Sequence, residues 1–184
     1  AYYSFHPTWD LPSPLAFAAV GMRDVSPYIL RVRALGLEAQ IHDGDSYNPE
    51  LALAGRFDYA FLLVFLLPLF VIVLFHDLRS AETESGRERM LRALPAGAGR
   101  VYLRRGLVRV LAVLACVGLP FVAVALHQGV APSLLLAVLG LAAAYVLFWA
   151  ALALLVARLG WSSATNAATL ATAWVAIALV LPAL

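Results

Sequence analysis

Apolar residues in this chain fall into long unbroken runs rather than the short alternations of soluble helices and strands. Four runs reach or approach the roughly 20 residues that a helix needs to cross about 30 Å of hydrocarbon. They cover 59–75 (YAFLLVFLLPLFVIVLF), 106–126, 133–157 and 164–181. We read them as the transmembrane helices of an all-α polytopic bundle occupying 58–184, preceded by a loop-rich external segment, 1–57. Pro68 and Pro120 lie inside the first two runs. Each would break a soluble helix, whereas in a membrane bundle a neighbour can satisfy the carbonyl that proline frees, and a kink results.

Composition strengthens the membrane reading. The chain is 63% hydrophobic and 13% charged, against about 45–50% and about 25% in a soluble domain. Of its 24 charged residues, 23 lie in the first 109 positions, and Arg158 stands alone afterwards. All thirteen basic residues are arginine, and the net charge of +2 implies no acidic partner, nucleic acid included. The single cysteine, Cys116, excludes a disulfide framework and reads as a thiol embedded in an apolar run. Because the chain starts at Ala1 and ends in an apolar run, a piece of a longer polypeptide is expected.

The distribution of arginine sets the orientation. Between residues 76 and 109 lie Arg79, Arg87, Arg89, Arg92, Arg100, Arg104, Arg105 and Arg109, against four acids. That loop, 76–105, is therefore expected in the cytoplasm, with Arg158 on the same side. Residues 1–58 carry four arginines against seven acids, and the 127–132 connection (HQGVAP) carries no Arg, Asp or Glu. Both are expected outside.

In the external segment, 27–39 (PYILRVRALGLEA) reads as a helix in preference to a strand. The stretch His42, Asp43, Gly44, Asp45, Ser46, Tyr47, Asn48 offers oxygen and nitrogen ligands. It lacks the twelve-residue calcium-loop pattern with its terminal glutamate, so a solvated turn is expected and no metal.

The cytoplasmic loop carries the pattern on which function turns. Residues 78–94 suit a short helix: Ser80 as cap, Glu82, Glu84 and Glu88 early, Arg89 and Arg92 late, matching the helix dipole. Glu88 and Arg92 are spaced for an i,i+4 pair. Gly86 interrupts the helix, and Pro95, Gly97 and Gly99 end it. Leu91 and Leu94, joined by Met90, make a small apolar patch. Such a helix is a solvated or membrane-surface element, or a docking surface for a cytoplasmic protein.

A span ending near Asp77, then Glu82, Glu84 and Gly86, then Leu91, Leu94, Pro95 and Arg100 before the next span, resembles the first cytoplasmic loop of type-2 ABC transporter permeases. Arg87, Glu88 and Arg89 stand where that family places threonine and leucine after the glycine. LPSPL (11–15), NPELALAGRFD (48–58) and LLPLFVI (66–72) resemble a bacterial branch with a long external segment between its first two spans. The resemblance implies six spans per subunit, of which this chain carries the second to fifth, a second permease subunit as homo- or heterodimer, and a bacterial inner membrane. It further implies a cytoplasmic ABC ATPase subunit that binds ATP-Mg and docks on Glu82, Glu84, Gly86, Arg87, Glu88, Arg89, Leu91, Arg92, Leu94, Pro95 and Arg100. The external segment becomes a candidate contact for cargo or an extracytoplasmic partner.

No phosphate loop ending in lysine and serine or threonine is present, so hydrolysis is expected on the partner chain. An intramembrane enzyme would need ionisable groups within the bilayer, whereas His76, Asp77, His127 and Asp58 lie at the edges of the runs. No catalytic residue and no cofactor is assigned. A membrane-anchored sensor or assembly factor, acting through the external segment, is the alternative class. In the last run Ser162, Thr165, Asn166, Thr169 and Thr172 recur at helical spacing. That stripe reads as a helix-packing surface, with a substrate route or the partner permease as the functional version. Trp161 reads as an interfacial anchor, and Trp149 and Trp174 as packing or lipid-facing residues.

Overall fold

The computed structural model describes residues 6–9, 12–20, 29–32, 57–94 and 97–183. The chain forms two units, Ala1–Phe61 and Leu62–Leu184. In the first, strands β1 (His6–Trp9) and β2 (Ile29–Val32) pair antiparallel, with His6 opposite Val32 and Trp9 opposite Ile29. The helix expected over 27–39 is thus a strand at Ile29–Val32; the rest of 27–39 lies outside the described residues, as does 42–48. A two-stranded ribbon has no central strand, so Pro7, which has no N–H, is tolerated opposite Arg31.

Asp58 organises the other end of this unit. Its Oδ1 accepts from Phe61 N at 2.8 Å, capping the helical turn Tyr59–Phe61, and its Oδ2 accepts from Val20 N at 2.9 Å. Ala60 N also donates to Ala18 O at 2.9 Å. One carboxylate therefore caps the turn Tyr59–Phe61 and ties the 12–20 segment to that turn.

The second unit is an all-α bundle. A π-helical turn, Leu62–Leu66, leads into α1 (Leu67–Phe75), and two short helices follow, α2 (Ser80–Glu84) and α3 (Glu88–Ala93). Long helices α4 (Gly97–His127) and α5 (Pro132–Ala157) come next. The last helix, α6 (Ser163–Trp174), continues as a π-helical segment, Val175–Val180. Four helical stretches are long and apolar enough to cross a membrane: Tyr59–Glu84, Gly97–His127, Pro132–Ala157 and Ser163–Val180.

Two boundaries differ from the hydrophobic pattern. The first helical course does not stop at 75 but passes through a looser turn at 76–79 as far as Glu84. The second helix starts at Gly97, nine residues before the apolar run, so 97–105 is helix rather than loop. Arg100, Arg104 and Arg105 are exposed residues of this helix, and a charged, exposed helical turn is what hydropathy reads as loop.

α5 is the centre of the bundle and packs on α1, α4 and α6. Its buried positions Ala142, Val146, Trp149, Ala153 and Val156 are spaced alternately four and three apart, the seam of a left-handed helix pair. Alanines on that seam let backbones approach, which matters in lipid because burying apolar surface there gains little. Trp149 is fully buried, with Tyr145 and Phe148 edge-on to it at ring separations of 6.3 and 5.6 Å. It packs in one core with Leu67, Val71 and Phe75 of α1 and Leu170 of α6. On the facing surface of α4, Gly106 leaves 3.5 Å between a notional Cβ and the Phe75 ring, so no side chain much larger than alanine fits there.

Pro68 finds the partner its sequence calls for. Lacking an N–H, it cannot bond the carbonyl four residues back, that of Val64; the Tyr145 hydroxyl on α5 donates to that carbonyl at 3.1 Å. Tyr145→Phe should therefore destabilise the bundle by about 0.6 kcal/mol, the average for such bonds between membrane helices. In a Pro68→Ala background the restored amide takes over, and the same change should cost close to nothing. A double-mutant cycle from reversible unfolding in mixed micelles measures this coupling, and equal costs in both backgrounds would contradict the assignment.

Candidate functional site

The loop between α1 and α4 is folded around two carboxylates. Gly86 separates α2 from α3 with φ +74°, a left-handed conformation open to glycine and strained for other residues. The reversal brings Arg87 back onto Glu82, whose Oε2 accepts from Arg87 Nε at 2.9 Å while Oε1 accepts from Arg105 of α4 at 2.6 Å. Glu82 is only 7% exposed, so it is enclosed by protein rather than water. Glu88 holds the second cluster: its Oε1 accepts from Arg92 at 2.8 Å and Arg79 at 3.2 Å, and its Oε2 from the Thr83 hydroxyl at 2.8 Å. The Arg92 and Thr83 hydrogen bonds hold the Glu88 carboxyl down at about 2, and Glu88 in turn raises Arg92. The i,i+4 pair expected from sequence is thus present, with two further donors.

This folded loop is fastened to three spans at one end of the bundle. Glu82 fastens it to α4 through Arg105. Glu84 Oε1 accepts from Ser163 N at 2.7 Å, placing a negative charge on the positive end of α6. Ser80 and Ser163 share a hydroxyl bond at 2.7 Å, and Ser80 also donates to His76 O. Asn166 Nδ2 donates to the same His76 carbonyl at 3.2 Å, and Arg109 donates to Leu74 O and lies 3.4 Å from Asp77. The open end of α1 is thereby closed by side chains of α4 and α6.

The arrangement redistributes the residues that sequence had grouped as one docking surface. Glu82, Glu84 and Glu88 are bonded within the chain, and Arg87 and Arg92 pair with two of them, although Glu84, Arg87 and Arg92 themselves stay exposed. Ser80 does not cap the loop helix, because Arg79 occupies that position and the Ser80 hydroxyl bonds elsewhere. Leu91 is half-buried, and Pro95 lies outside the described residues. Exposed and without a carboxylate partner among the described residues are Arg89, Arg100, Arg104 and Arg158. Beside Arg89, Met90 is 74% exposed and Leu94 is exposed too. The outward surface is basic and apolar, and the acids of the motif hold it in shape.

The stripe on α6 also divides. Asn166 alone among its five members is buried. Ser162 caps α6, accepting from Thr165 N at 3.2 Å, and the Thr169 and Thr172 hydroxyls donate to the carbonyls four residues back, Thr165 O and Ala168 O. Thr165 and Thr172 are exposed and Thr169 is half-buried, so most of this face is uncovered by the described residues. Trp149 is a packing residue, Trp174 lies half-buried against the core, and Trp161 is exposed at the α5–α6 turn.

Sequence reasoning missed Arg105, Arg109, Ser163 and Thr83 as members of the site. A signal existed for two of them: Arg105 and Arg109 are four apart and so share one face of α4, apart from the exposed Arg100 and Arg104. Ser163 carried none, since its role depends on a backbone N–H. Among the described residues no group of three or more His, Cys, Asp or Glu is placed to hold a metal ion. Comparison with family models, with curated proteins and with solved structures finds no match.

Because the folded Glu88 titrates at about 2, below its ordinary 4.5, its contribution is complete above that ordinary value and disappears as pH falls toward 2. Wild type should unfold at a higher temperature than Glu88→Gln at neutral pH, and the gap should close between about pH 4.5 and 2. Thermal unfolding in micelles across this range checks it; a gap independent of pH would contradict the ion-pair assignment.

Proposed function

We propose that this chain is a membrane-spanning permease subunit of an ABC transporter, with 76–96 on the cytoplasmic side of a bacterial inner membrane. A separate ATPase subunit binds ATP-Mg and docks on that loop, and a second permease subunit completes the pathway for a substrate. The observation that carries this reading is mechanical: a compact loop, stiffened by two carboxylate clusters, continues directly from α1 and is bonded at once to α4 and α6. Force applied to it would reach three spans as a rigid-body displacement. The resemblance of Glu82, Glu84, Gly86, Leu91, Leu94, Pro95 and Arg100 to a type-2 permease loop supports the same reading.

In this reading the two halves of the task fall to different residues. Arg89, Met90 and Leu94 face outward and form the docking surface, where charge sets register and specificity. Glu82, Glu84 and Ser80, bonded to α4 and α6, transmit. The exposed Thr165 and Thr172 face of α6 is available to the second permease subunit or to the substrate route.

Purification of the complete polypeptide from its own membrane should retain an ATP-hydrolysing subunit. Arg89→Glu with Met90→Glu should abolish that retention. Glu84→Ala should preserve it and lower membrane-dependent hydrolysis about tenfold, within the usual range of coupling energies. Unchanged retention by the Arg89→Glu, Met90→Glu variant would overturn the docking assignment. Absence of any ATPase from the wild-type preparation would overturn the permease reading.

A further inference from the structure

A cleft of about 470 Å³ opens at the same end of the bundle, between the loop, the first turns of α4 and the end of α5. Arg79, Arg92 and Arg158 line it with a single acid, Glu88, which leaves two positive charges in excess. Arg79 and Arg92 both bond Glu88 Oε1, and each guanidinium retains further N–H donors. Arg158 follows directly on the end of α5 and has no carboxylate partner among the described residues. The Tyr102 hydroxyl, on the α4 wall, is buried and has no hydrogen-bond partner among the described residues. A buried hydroxyl left in this way is costly, and a site rich in unused donors calls for an anion with several acceptor oxygens. Leu103, also on the wall, is 70% exposed, so the cleft has an apolar lip on the outer surface of the bundle. An anionic head with an apolar tail fits both features.

We propose that this cleft binds the phosphate of an anionic phospholipid headgroup. Arg158 and the free donors of Arg79 and Arg92 hold the phosphate, Tyr102 donates to one of its oxygens, and an acyl chain lies along Leu103. The position agrees, since Arg158 terminates a 26-residue apolar helix and so stands at headgroup level. The lipid would brace the loop against α4 and α5, the two helices that supply the rest of the wall. This site stands independently of the transport reading. Free phosphate shares the headgroup's chemistry and lacks the tail.

Titration of the delipidated protein in micelles with phosphatidylglycerol, phosphatidylcholine or inorganic phosphate, with bound lipid counted by native mass spectrometry, separates the sources. Phosphatidylglycerol should bind preferentially, and Arg158→Gln should weaken it about fivefold, the effect of one cation near an anionic lipid surface. Tyr102→Phe, which keeps the ring and its packing, should also weaken it, so the test does not rest on Arg158→Gln folding. Arg104→Gln removes the same charge from α4 outside the cleft and should change nothing. Equal binding of the two lipids, or equal losses from Arg104→Gln and Arg158→Gln, would overturn the site. Full competition by inorganic phosphate, with no preference between lipids, would assign the cleft to a free anion and overturn the lipid proposal.

Discussion

In hydrocarbon, a backbone carbonyl or amide without a partner has no water to turn to, and each such group costs several kcal/mol. Three breaks, at Pro68 within the first span and at the end of α1 and the start of α6 near its edge, are each met by a side chain from elsewhere in the bundle or loop. Tyr145 donates to Val64 O, Arg109 to Leu74 O and Asn166 to His76 O; Glu84 accepts from Ser163 N. These bonds do more than satisfy the backbone. They decide which helices neighbour each other and where the loop must lie, because each partner comes from a different element.

The loop inherits its rigidity from this requirement. A five-residue and a six-residue helix would be marginal alone. Here Glu82 sits between Arg87 and Arg105, and Glu88 between Arg79 and Arg92. Charge pairs of this kind at a surface contribute little individually. Their value lies in enclosure and number, since Glu82 is buried and each carboxylate uses both oxygens. The acids are bonded within the chain and the unpaired arginines are exposed, which gives one short segment an internal fastening and an external basic face.

Much of the bundle is legible in sequence because hydropathy answers to the bilayer, and the third and fourth helices begin within a residue of their apolar runs. The start of α4 was not legible, because a window that counts charges cannot tell an arginine in a loop from one on an exposed helical turn. The strand at Ile29–Val32 was missed because its four residues pair with His6–Trp9, twenty or more positions away, and nothing local encodes that pairing. At the candidate site, the Glu88 and Arg92 pair follows from spacing alone, whereas Glu84 on Ser163 N and Asn166 on His76 O join residues 79 and 90 positions apart. Nothing local encodes such pairings. The α6 stripe illustrates the limit: five polar residues share a periodicity, yet Asn166 alone turns inward, because it has an open carbonyl to meet.

The fastening of the loop to α6 is the claim on which the rest depends, and the Ser80 to Ser163 contact, 2.7 Å between hydroxyl oxygens, is its most direct readout. In a Cys116→Ala background, cysteines at both positions should form a disulfide rapidly and nearly completely in native membranes under mild oxidation, while cysteines at Ser80 and Thr172 should not. Failure of the first pair to cross-link, with both thiols still reactive to alkylation in the unfolded protein, would contradict the account.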